Sequence, residues 1–239
     1  MEEVPQVAPE IEMKSAVARL IRRDTGFWTL YYRLLFRLKG VRFGRGLRVC
    51  GPLILRLLGS PTNLIIGDNV TIMPMVDLKL REQGRIILHD GVFLDTMTRL
   101  VAANQGTIEL GEDVKVGIGS IINAGADVTI GRQSLIAGYC NIDSSKHLYE
   151  GEASIASQGY EHSPVHIGED SWLGVYSFVG PGSELGKGVI LGARASVFTG
   201  SIPPYCVAVG TPARVIKERR QAAELPEDLA VARRIAPQS

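Results

Sequence analysis

Aliphatic residues recur at a fixed spacing through most of the chain. In the clearest stretch, 167–197, an aliphatic residue returns at every sixth position and a glycine follows each of the first five. A six-residue period matches neither an amphipathic helix nor the two-residue alternation of a hairpin strand. It predicts short strands joined by tight corners, where glycine, asparagine or aspartate allows a positive φ. Three such faces form a triangular coil, and stacked coils give three parallel sheets.

The same pattern begins further upstream, at a looser spacing. A seven-residue pattern starts at Phe43, Ile66, Leu88, Leu110, Ile130, Ile167 and Leu185. Its first position is aliphatic or aromatic, and its second is usually glycine. Two turn residues, a small or apolar residue, any residue and a final aliphatic residue follow. The wider spacing places extra residues at corners such as 80–85 and 102–107. We predict an all-β solenoid over residues 43–217, preceded by an N-terminal helical segment (1–42) and followed by a polar tail or short helix (218–239).

One long interruption breaks the repeat. After Ile142 the next coil is expected near residue 148, but its pattern starts at Ile167, so residues 144–164 form an excursion. Asn123 and Asp143 precede this corner in the same slot of successive coils, about 4.8 Å apart. His147 lies at the root of the excursion. Loops of this length without structure of their own are usually functional or disordered, although surface insertions are also tolerated.

Imidazole is the side chain best suited to general-base catalysis near neutral pH, so His147 is the candidate base. His162 and His166 lie where the loop rejoins the coil, as acceptor or cofactor contacts or as solvated side chains. His89 occupies a corner slot and is expected to be structural.

Composition narrows the classes of function. A formal net charge of +1 gives no general basic field for nucleic acid. The three cysteines are far apart in sequence and form no C-x-x-C pair, which favours a reducing cytosol. The chain shows no signal peptide and no apolar run long enough for a membrane span. We therefore expect a cytoplasmic protein, at most peripheral at the inner face of the membrane.

Residues 25–38, TGFWTLYYRLLFRL, predict an amphipathic helix. Phe27, Leu30 or Tyr31, Leu34 and Leu38 repeat at helical spacing, and arginines 33 and 37 lie opposite. Asp24 or Thr25 can begin this helix, and Gly40 can end it. Two interpretations stay open: the helix caps the first coil, as solenoids require, or it lies at a membrane surface near lipid-linked glycan acceptors.

The repeat, together with the stretches NIDSSKH and PVHIGEDSWLG, resembles the hexapeptide-repeat acyltransferases, in particular the maltose, galactoside and colanic-acid O-acetyltransferases. The resemblance covers residues 43–217 and implies a left-handed parallel β-helix. The residues alone would have favoured the opposite hand, because parallel crossovers are right-handed in about 98% of cases. The resemblance implies that His147 is the base, Asn123 an acceptor contact and Asp143 an orienting residue. Many relatives have two histidines close together where this chain has Ser144, Ser145 and Lys146 before one. Which residue orients His147 therefore stays open.

The segment SVFTGSIPPYCVAVGTPARVIKERR resembles the C-terminal part of these enzymes, where coenzyme A binds. The resemblance implies phosphate contacts from Arg214 and Lys217, and a pantetheine path along Trp172, Gly174, Ala193 and Thr199. Without the resemblance, the cations 214, 217, 219 and 220 are equally typical of a solvated face.

The function implied is acetyl-CoA-dependent O-acetylation of a sugar or glycan acceptor in surface polysaccharide synthesis. The resemblance also implies a homotrimer that binds neither a metal nor nucleic acid. The hydroxyl attacks the thioester directly, because no nucleophile elbow or paired cysteine indicates an acyl-enzyme. Three alternatives stay open: N-acylation of an amino-sugar nucleotide, a zinc hydratase on the same coil, which needs three converging histidines, and a non-catalytic scaffold.

Overall fold

The computed structural model describes residues 26–219. Helix α1 covers 26–39, a 3₁₀ turn covers Pro61–Asn63, and the short helix α2 covers Ile155–Gln158. The predicted start of the first helix at Asp24 or Thr25, Arg220 of the cationic cluster and residues 220–239 of the predicted tail lie outside this range.

The strands form three sheets and a hairpin. Sheet A contains β1 (Arg42–Phe43), β4 (Leu64–Ile66), β7 (Arg85–Leu88), β10 (Thr107–Leu110), β13 (Val128–Ile130), β18 (Val165–Ile167), β21 (Ser183–Leu185) and β24 (Gly200–Ile202). Sheet B contains β2 (Arg48–Val49), β5 (Thr71–Ile72), β8 (Phe93–Leu94), β11 (Lys115–Val116), β14 (Leu135–Ile136), β19 (Trp172–Leu173), β22 (Ile190–Leu191), β25 (Cys206–Val209) and β26 (Arg214–Glu218). Sheet C contains β3 (Ile54–Leu57), β6 (Asp77–Leu80), β9 (Arg99–Ala102), β12 (Ile121–Ala124), β15 (Asn141–Asp143), β20 (Phe178–Val179) and β23 (Ser196–Val197). The hairpin pairs β16 (Ser145–His147) with β17 (Tyr160–His162).

Each coil contributes one strand to sheets A, B and C in turn, and the strands within a sheet are parallel except for β26. The first corner joins sheet A to sheet B, the second joins B to C, and the third joins C back to A. Residues in register repeat the same orientation, so Leu78, Leu100, Ile122, Ile142 and Val179 form one fully buried ladder. The predicted fold class is confirmed: a left-handed parallel β-helix with an N-terminal helix.

The periodic glycines serve a different purpose from the expected one. Gly168 does not have a positive φ, but a Cβ atom there would lie 2.5 Å from the backbone N of Lys187 in the next coil. The left-handed residues lie two positions further along, at Asp170 (φ 55°) and Tyr176 (φ 60°). Glycine is therefore required by the close approach of stacked backbones.

Helix α1 packs on the first coil through a different face from the predicted stripe. Phe36 is fully buried, and Tyr32 is nearly so; its hydroxyl accepts a hydrogen bond from Leu53 N at 2.7 Å. Leu30 and Leu38, on the predicted stripe, are 72% and 77% exposed. The helix is apolar on two sides, and the aromatic side faces the open end of the coil.

Candidate active site

The predicted excursion leaves the solenoid at the third corner. Strand β15 pairs with its neighbours in sheet C as far as Asp143, the chain then forms the antiparallel β16–β17 hairpin, and β18 resumes sheet A at Val165. Helix α2 lies within the connection between β16 and β17. The excursion therefore has a structure of its own, anchored beside the ends of β12 and β15.

Asn123 and Asp143 form the floor next to the hairpin. They are register partners, as predicted, and Asn123 Nδ2 donates to Asp143 Oδ2 at 3.3 Å. The backbone N of Ser145 donates to Asp143 Oδ1 at 2.9 Å. Burial raises the pKa of Asp143, and these two hydrogen bonds and the nearby His162 partly oppose that rise. The carboxyl group fixes the first residue of the hairpin.

Ser144 anchors the hairpin from inside the corner. It is fully buried, and its hydroxyl accepts hydrogen bonds from Gly125 N and Ala126 N, both at 3.0 Å. The hydroxyl itself donates to Ala126 O at 2.9 Å. A buried hydroxyl with this many partners ties the hairpin root to the preceding coil.

Alternation along β16 puts His147 and Ser145 on one face of the hairpin and Lys146 on the other. The His147 ring lies 4.2 Å, centroid to centroid, from that of its cross-strand partner Tyr160. Among residues 26–219, the imidazole of His147 has no hydrogen-bond partner. Lys146 forms an ion pair with Glu161 at 3.1 Å on the opposite face. The imidazole nitrogens of His147 are therefore available to a substrate.

His162 is held by two polar neighbours. Its Nδ1 lies 2.8 Å from Ser145 Oγ, and its Nε2 lies 3.2 Å from the side-chain nitrogen of Asn104. The Asn104 amide also donates to Gly125 O. Because that nitrogen is a donor, Nε2 accepts and Nδ1 carries the proton that is donated to Ser145. Both ring nitrogens are thus engaged within the chain.

Two clefts meet at the hairpin root. The Asn123 cleft, about 300 Å³, is lined by Arg81, Val101, Ala103, Asn104, Asn123, Ala124, Gly125, Asp143, Ser145, Tyr160 and His162. The Thr199 cleft, about 480 Å³, is lined by Asp143, Ser145, Lys146, Tyr149, Glu161, Ser163, Phe178, Pro181, Gly182, Phe198 and Thr199. Asp143 and Ser145 belong to both. A third, more open depression of about 620 Å³ continues from the Asn123 cleft past His162.

The predicted donor residues fall into three places. Thr199 lies at the third corner, in the cleft that contains Asp143. Gly174 and Ala193 come together on adjacent coils at the second corner, where a Cβ on Gly174 would lie 2.5 Å from Ala193 N. Half-exposed Trp172 lies on β19, next to that corner. The second and third corners are at opposite ends of the sheet C strands. One chain therefore brings Thr199, but not the other residues, next to the hairpin.

Arg214 and Lys217 lie on β26, which is exposed along its length and pairs antiparallel with β25. Lys217 is in register with Val207, which is in turn in register with Ile190, and Ile190 with Trp172. The two cations therefore belong to the end of sheet B that carries Trp172.

The sequence did not indicate four residues that the structure places in the Asn123 cleft: Arg81, Asn104, Ser145 and Tyr160. A signal for two of them was present. Arg81 and Asn104 fall in the segments 80–85 and 102–107, which were recognised as lengthened corners. Both segments lie at the third corner, one and two coils before β12. Lengthened corners that stack on one another mark the site.

The remaining histidines have other surroundings. His89 Nε2 lies at hydrogen-bond distance, 2.8 Å, from Glu109 Oε1, and His166 lies on the exposed side of β18. Over the range 26–219, no group of three or more His, Cys, Asp or Glu side chains could hold a metal ion.

Comparison with known proteins identifies relatives along most of the coil. A Mycobacterium tuberculosis protein named as an acetyltransferase is 37% identical over 158 residues, which are 66% of this chain and half of that protein. An Escherichia coli protein named as a colanic acid biosynthesis acetyltransferase (WcaF) is 33% identical over 168 residues, 70% of this chain and 73% of that one.

The solved structures include the N-acyltransferase AntD from Bacillus cereus, in complex with dTDP-4-amino-4,6-dideoxyglucose and coenzyme A. It is 17% identical, with a TM-score of 0.57 over 84% of this chain and 96% of that one. No family model matches the chain. The repeat, the stacked coils and the curated relatives agree: the chain belongs to the hexapeptide-repeat acetyltransferases.

Proposed function

We propose that the protein is an acetyl-CoA-dependent O-acetyltransferase of a sugar hydroxyl, active in surface polysaccharide synthesis. The observation that carries the proposal is the pair of clefts that meet at Asp143 and Ser145. One cleft can hold an acceptor and the other the end of a thioester donor, so the reacting groups meet at the hairpin root. The curated names of the E. coli relatives, which refer to colanic acid and lipopolysaccharide biosynthesis, support this substrate class.

In this proposal, His147 is the general base. It shares a face of the hairpin with Ser145, Tyr160 and His162, which line the Asn123 cleft, while His147 itself lies beyond the lining of both clefts. Its nitrogens are unengaged within the described chain, whereas both nitrogens of His162 have partners. A base needs a free lone pair directed at the substrate, and this favours His147.

The steps balance without a covalent enzyme intermediate. His147 takes the proton of the sugar hydroxyl as its oxygen attacks the thioester carbonyl and forms the new C–O bond. Backbone N–H groups at a coil corner stabilise the oxyanion. The C–S bond then breaks, and the leaving coenzyme A sulfur receives the proton from His147. Asn123 contacts the acceptor, and Asp143 holds Asn123 and the hairpin in place.

Coenzyme A binds along sheet B in this proposal, with its phosphates near Arg214 and Lys217. Guanidinium and ammonium groups are the natural partners of phosphate. The Bacillus cereus structures are complexes with coenzyme A and with 3-hydroxybutyryl-CoA, which supports an acyl-CoA donor on this fold.

A homotrimer completes the site. Trp172, Gly174 and Ala193 lie at the opposite end of sheet C from Thr199 and the hairpin, so the donor path needs the second corner of a neighbouring copy. Three such head-to-tail contacts close into a ring. The second corner carries an exposed apolar stripe that association would cover: Met75, Met97, Ile118, Tyr139, Val175 and Tyr176. Sedimentation as a monomer at micromolar concentration would contradict this arrangement.

We place the enzyme in the cytoplasm, at the inner surface of the membrane. The buried thiols of Cys140 and Cys206 suit a reducing compartment. The exposed side of α1 presents Phe27, Leu30, Tyr31, Leu34 and Leu38, as an interfacial helix would. Within the described residues no helix is long and apolar enough to cross a membrane.

Replacing Leu34 and Leu38 by glutamate should abolish binding to vesicles that contain anionic phosphatidylglycerol. Unchanged binding would leave the helix as a cap of the first coil alone.

N-acylation of an amino-sugar nucleotide is the second candidate, because the AntD fold that this chain shares carries that reaction. One assay separates the two. The protein is incubated with acetyl-CoA and a panel of sugars and amino sugars, and thiol release and product mass are followed. An O-acetyl ester is lost in mild alkali, whereas an N-acetyl amide survives. Transfer to hydroxyls supports the proposal, exclusive transfer to amines contradicts it, and no binding of any acyl-CoA would favour a scaffold.

A further inference from the structure

The outer face of sheet C changes charge along the coil. Next to the hairpin it presents Asn123 and the carboxyl group of Asp143. On the three preceding strands of sheet C, β3, β6 and β9, the same face presents Arg56, Lys79 and Arg99. Arg81, at the end of β6, lines the Asn123 cleft itself. The outer face of sheet C is therefore acidic next to the hairpin and basic towards the N-terminus, and Arg81 brings the basic part to the cleft.

The buried carboxylate of Asp77 organises the basic end. Only 7% of Asp77 is exposed, and Arg56 makes two hydrogen bonds to it, Nε to Oδ1 and Nη2 to Oδ2. Arg99 Nε lies 3.5 Å from Asp77 Oδ2, and this buried nitrogen makes no hydrogen bond within the described chain. Two guanidinium groups thus share one carboxylate, and a positive charge remains on this surface.

Lys79 adds a second cation that has no counterion. It is half-buried on β6, and none of residues 26–219 forms an ion pair or hydrogen bond with its ammonium group. Its register partner on β9 is Val101, which lines the Asn123 cleft. Arg81 pairs with Glu82 at 3.1 Å and is half exposed beside the same cleft. An ammonium group without a counterion beside the cleft is available to pair with an anionic ligand.

We propose that the acceptor carries an anionic group, a phosphate or a carboxylate, and that Lys79, Arg81 and Arg99 bind it at the end of the Asn123 cleft away from the hairpin. Val101 and Asp143 are two strands apart, about 10 Å. A sugar unit placed across Val101 and Asn123 would then have its reacting hydroxyl at the hairpin and its anionic substituent on the cations. The inference rests on the proposed function and narrows the acceptor class.

The test uses matched acceptors in the glucose and galactose series, each as the neutral methyl glycoside, the uronic acid and the 1-phosphate. Binding is measured by calorimetry, and kcat/KM is measured with acetyl-CoA. The anionic sugars should bind at least about tenfold more tightly than the glycosides. The double variant Lys79→Gln/Arg81→Gln should lose that preference, and Lys79→Arg should keep it. A preference for the phosphate or for the carboxylate identifies which anion is bound.

The control is Lys187→Gln, which removes an exposed cation at the first corner and leaves its partner Glu169 paired with Arg132. Arg56 and Arg99 are left intact because their removal would leave Asp77 buried without its partners. Neutral glycosides that bind as tightly as the anionic sugars would overturn the inference, and so would an unchanged preference in the double variant. Binding of anionic sugars through Lys79 and Arg81 without acetyl transfer would support the inference while contradicting the proposed function.

Discussion

Two kinds of corner coexist in this coil. The first corner has four residues between the strands of each of the first seven coils, as in 67–70, 89–92 and 111–114, and the second corner also has four, as in 73–76, 95–98 and 117–120. The third corner ranges from two residues, 198–199, to the excursion at 144–164. Packing fixes the length of two corners and leaves the third free. The clefts, the hairpin and Arg81 of the basic end all lie on or beside the third corner, where the fold tolerates change.

Breaking a fixed corner should have the largest effect on folding. In Gly168→Val the new Cβ would lie 2.5 Å from the backbone of the next coil, and neither backbone can move without disrupting its sheet. We expect a loss of about 3 kcal/mol or more in the free energy of unfolding. Urea denaturation of the wild type and the variant measures this loss. Ala153→Val, at an exposed position of the excursion, is the control. Near-equal stabilities for the two variants would remove the distinction between the corners.

The root of the excursion should be the next most sensitive position. Ser144→Ala leaves the N–H groups of Gly125 and Ala126 without their acceptor inside the corner. The expected loss is about 1–3 kcal/mol. Ser60→Ala removes an exposed hydroxyl from the same corner four coils earlier and should change stability by less than about 0.5 kcal/mol. A harmless Ser144→Ala would mean that the hairpin is held in some other way.

Asp143→Asn tests the burial of the carboxyl group with a smaller, pH-dependent effect. Because its pKa is raised in the folded protein, the folded state holds this proton more tightly than the unfolded chain. The stabilising contribution is present below the ordinary pKa of aspartate and is lost as pH rises through the raised pKa. The wild type should therefore lose stability relative to Asp143→Asn as pH increases across that interval. A difference that grows in the opposite direction would contradict the assignment.

Removing most of the excursion should have the smallest effect on stability. Replacing residues 148–159 by Asn-Gly joins His147 to its partner Tyr160 through a two-residue turn. We expect the free energy of unfolding to change by less than about 1 kcal/mol, because shortening a loop costs little. Inserting the same Asn-Gly between Glu169 and Asp170, at a fixed corner, should instead prevent folding. Thermal melting of the two proteins decides between these expectations.

The sequence predicts those features of the fold that the repeated packing of the coils determines. The six-residue period predicted the coils, the excursion and the register of Asn123 with Asp143, because an inward aliphatic must return on every face. It did not predict which face of α1 packs, because that helix is apolar on both sides. It also missed Tyr160 and Ser145, because their positions depend on hairpin pairing rather than on the repeat. The left-handedness of the coil was implied only by the resemblance, because a six-residue period is the same for left-handed and right-handed coils.

The central claim is that the excursion supplies the base through His147. The most direct test is the pH dependence of kcat/KM for acetyl transfer in the wild type, His147→Ala and His162→Ala. We predict that His147→Ala folds, binds coenzyme A and loses roughly 10²–10⁴-fold in rate. It should also lose the acid limb of the rate profile, because the group that must be deprotonated to act as the base is gone. His162→Ala should lose far less rate and keep that limb. A near-normal rate in His147→Ala, or a larger loss in His162→Ala, would show that the base is not His147.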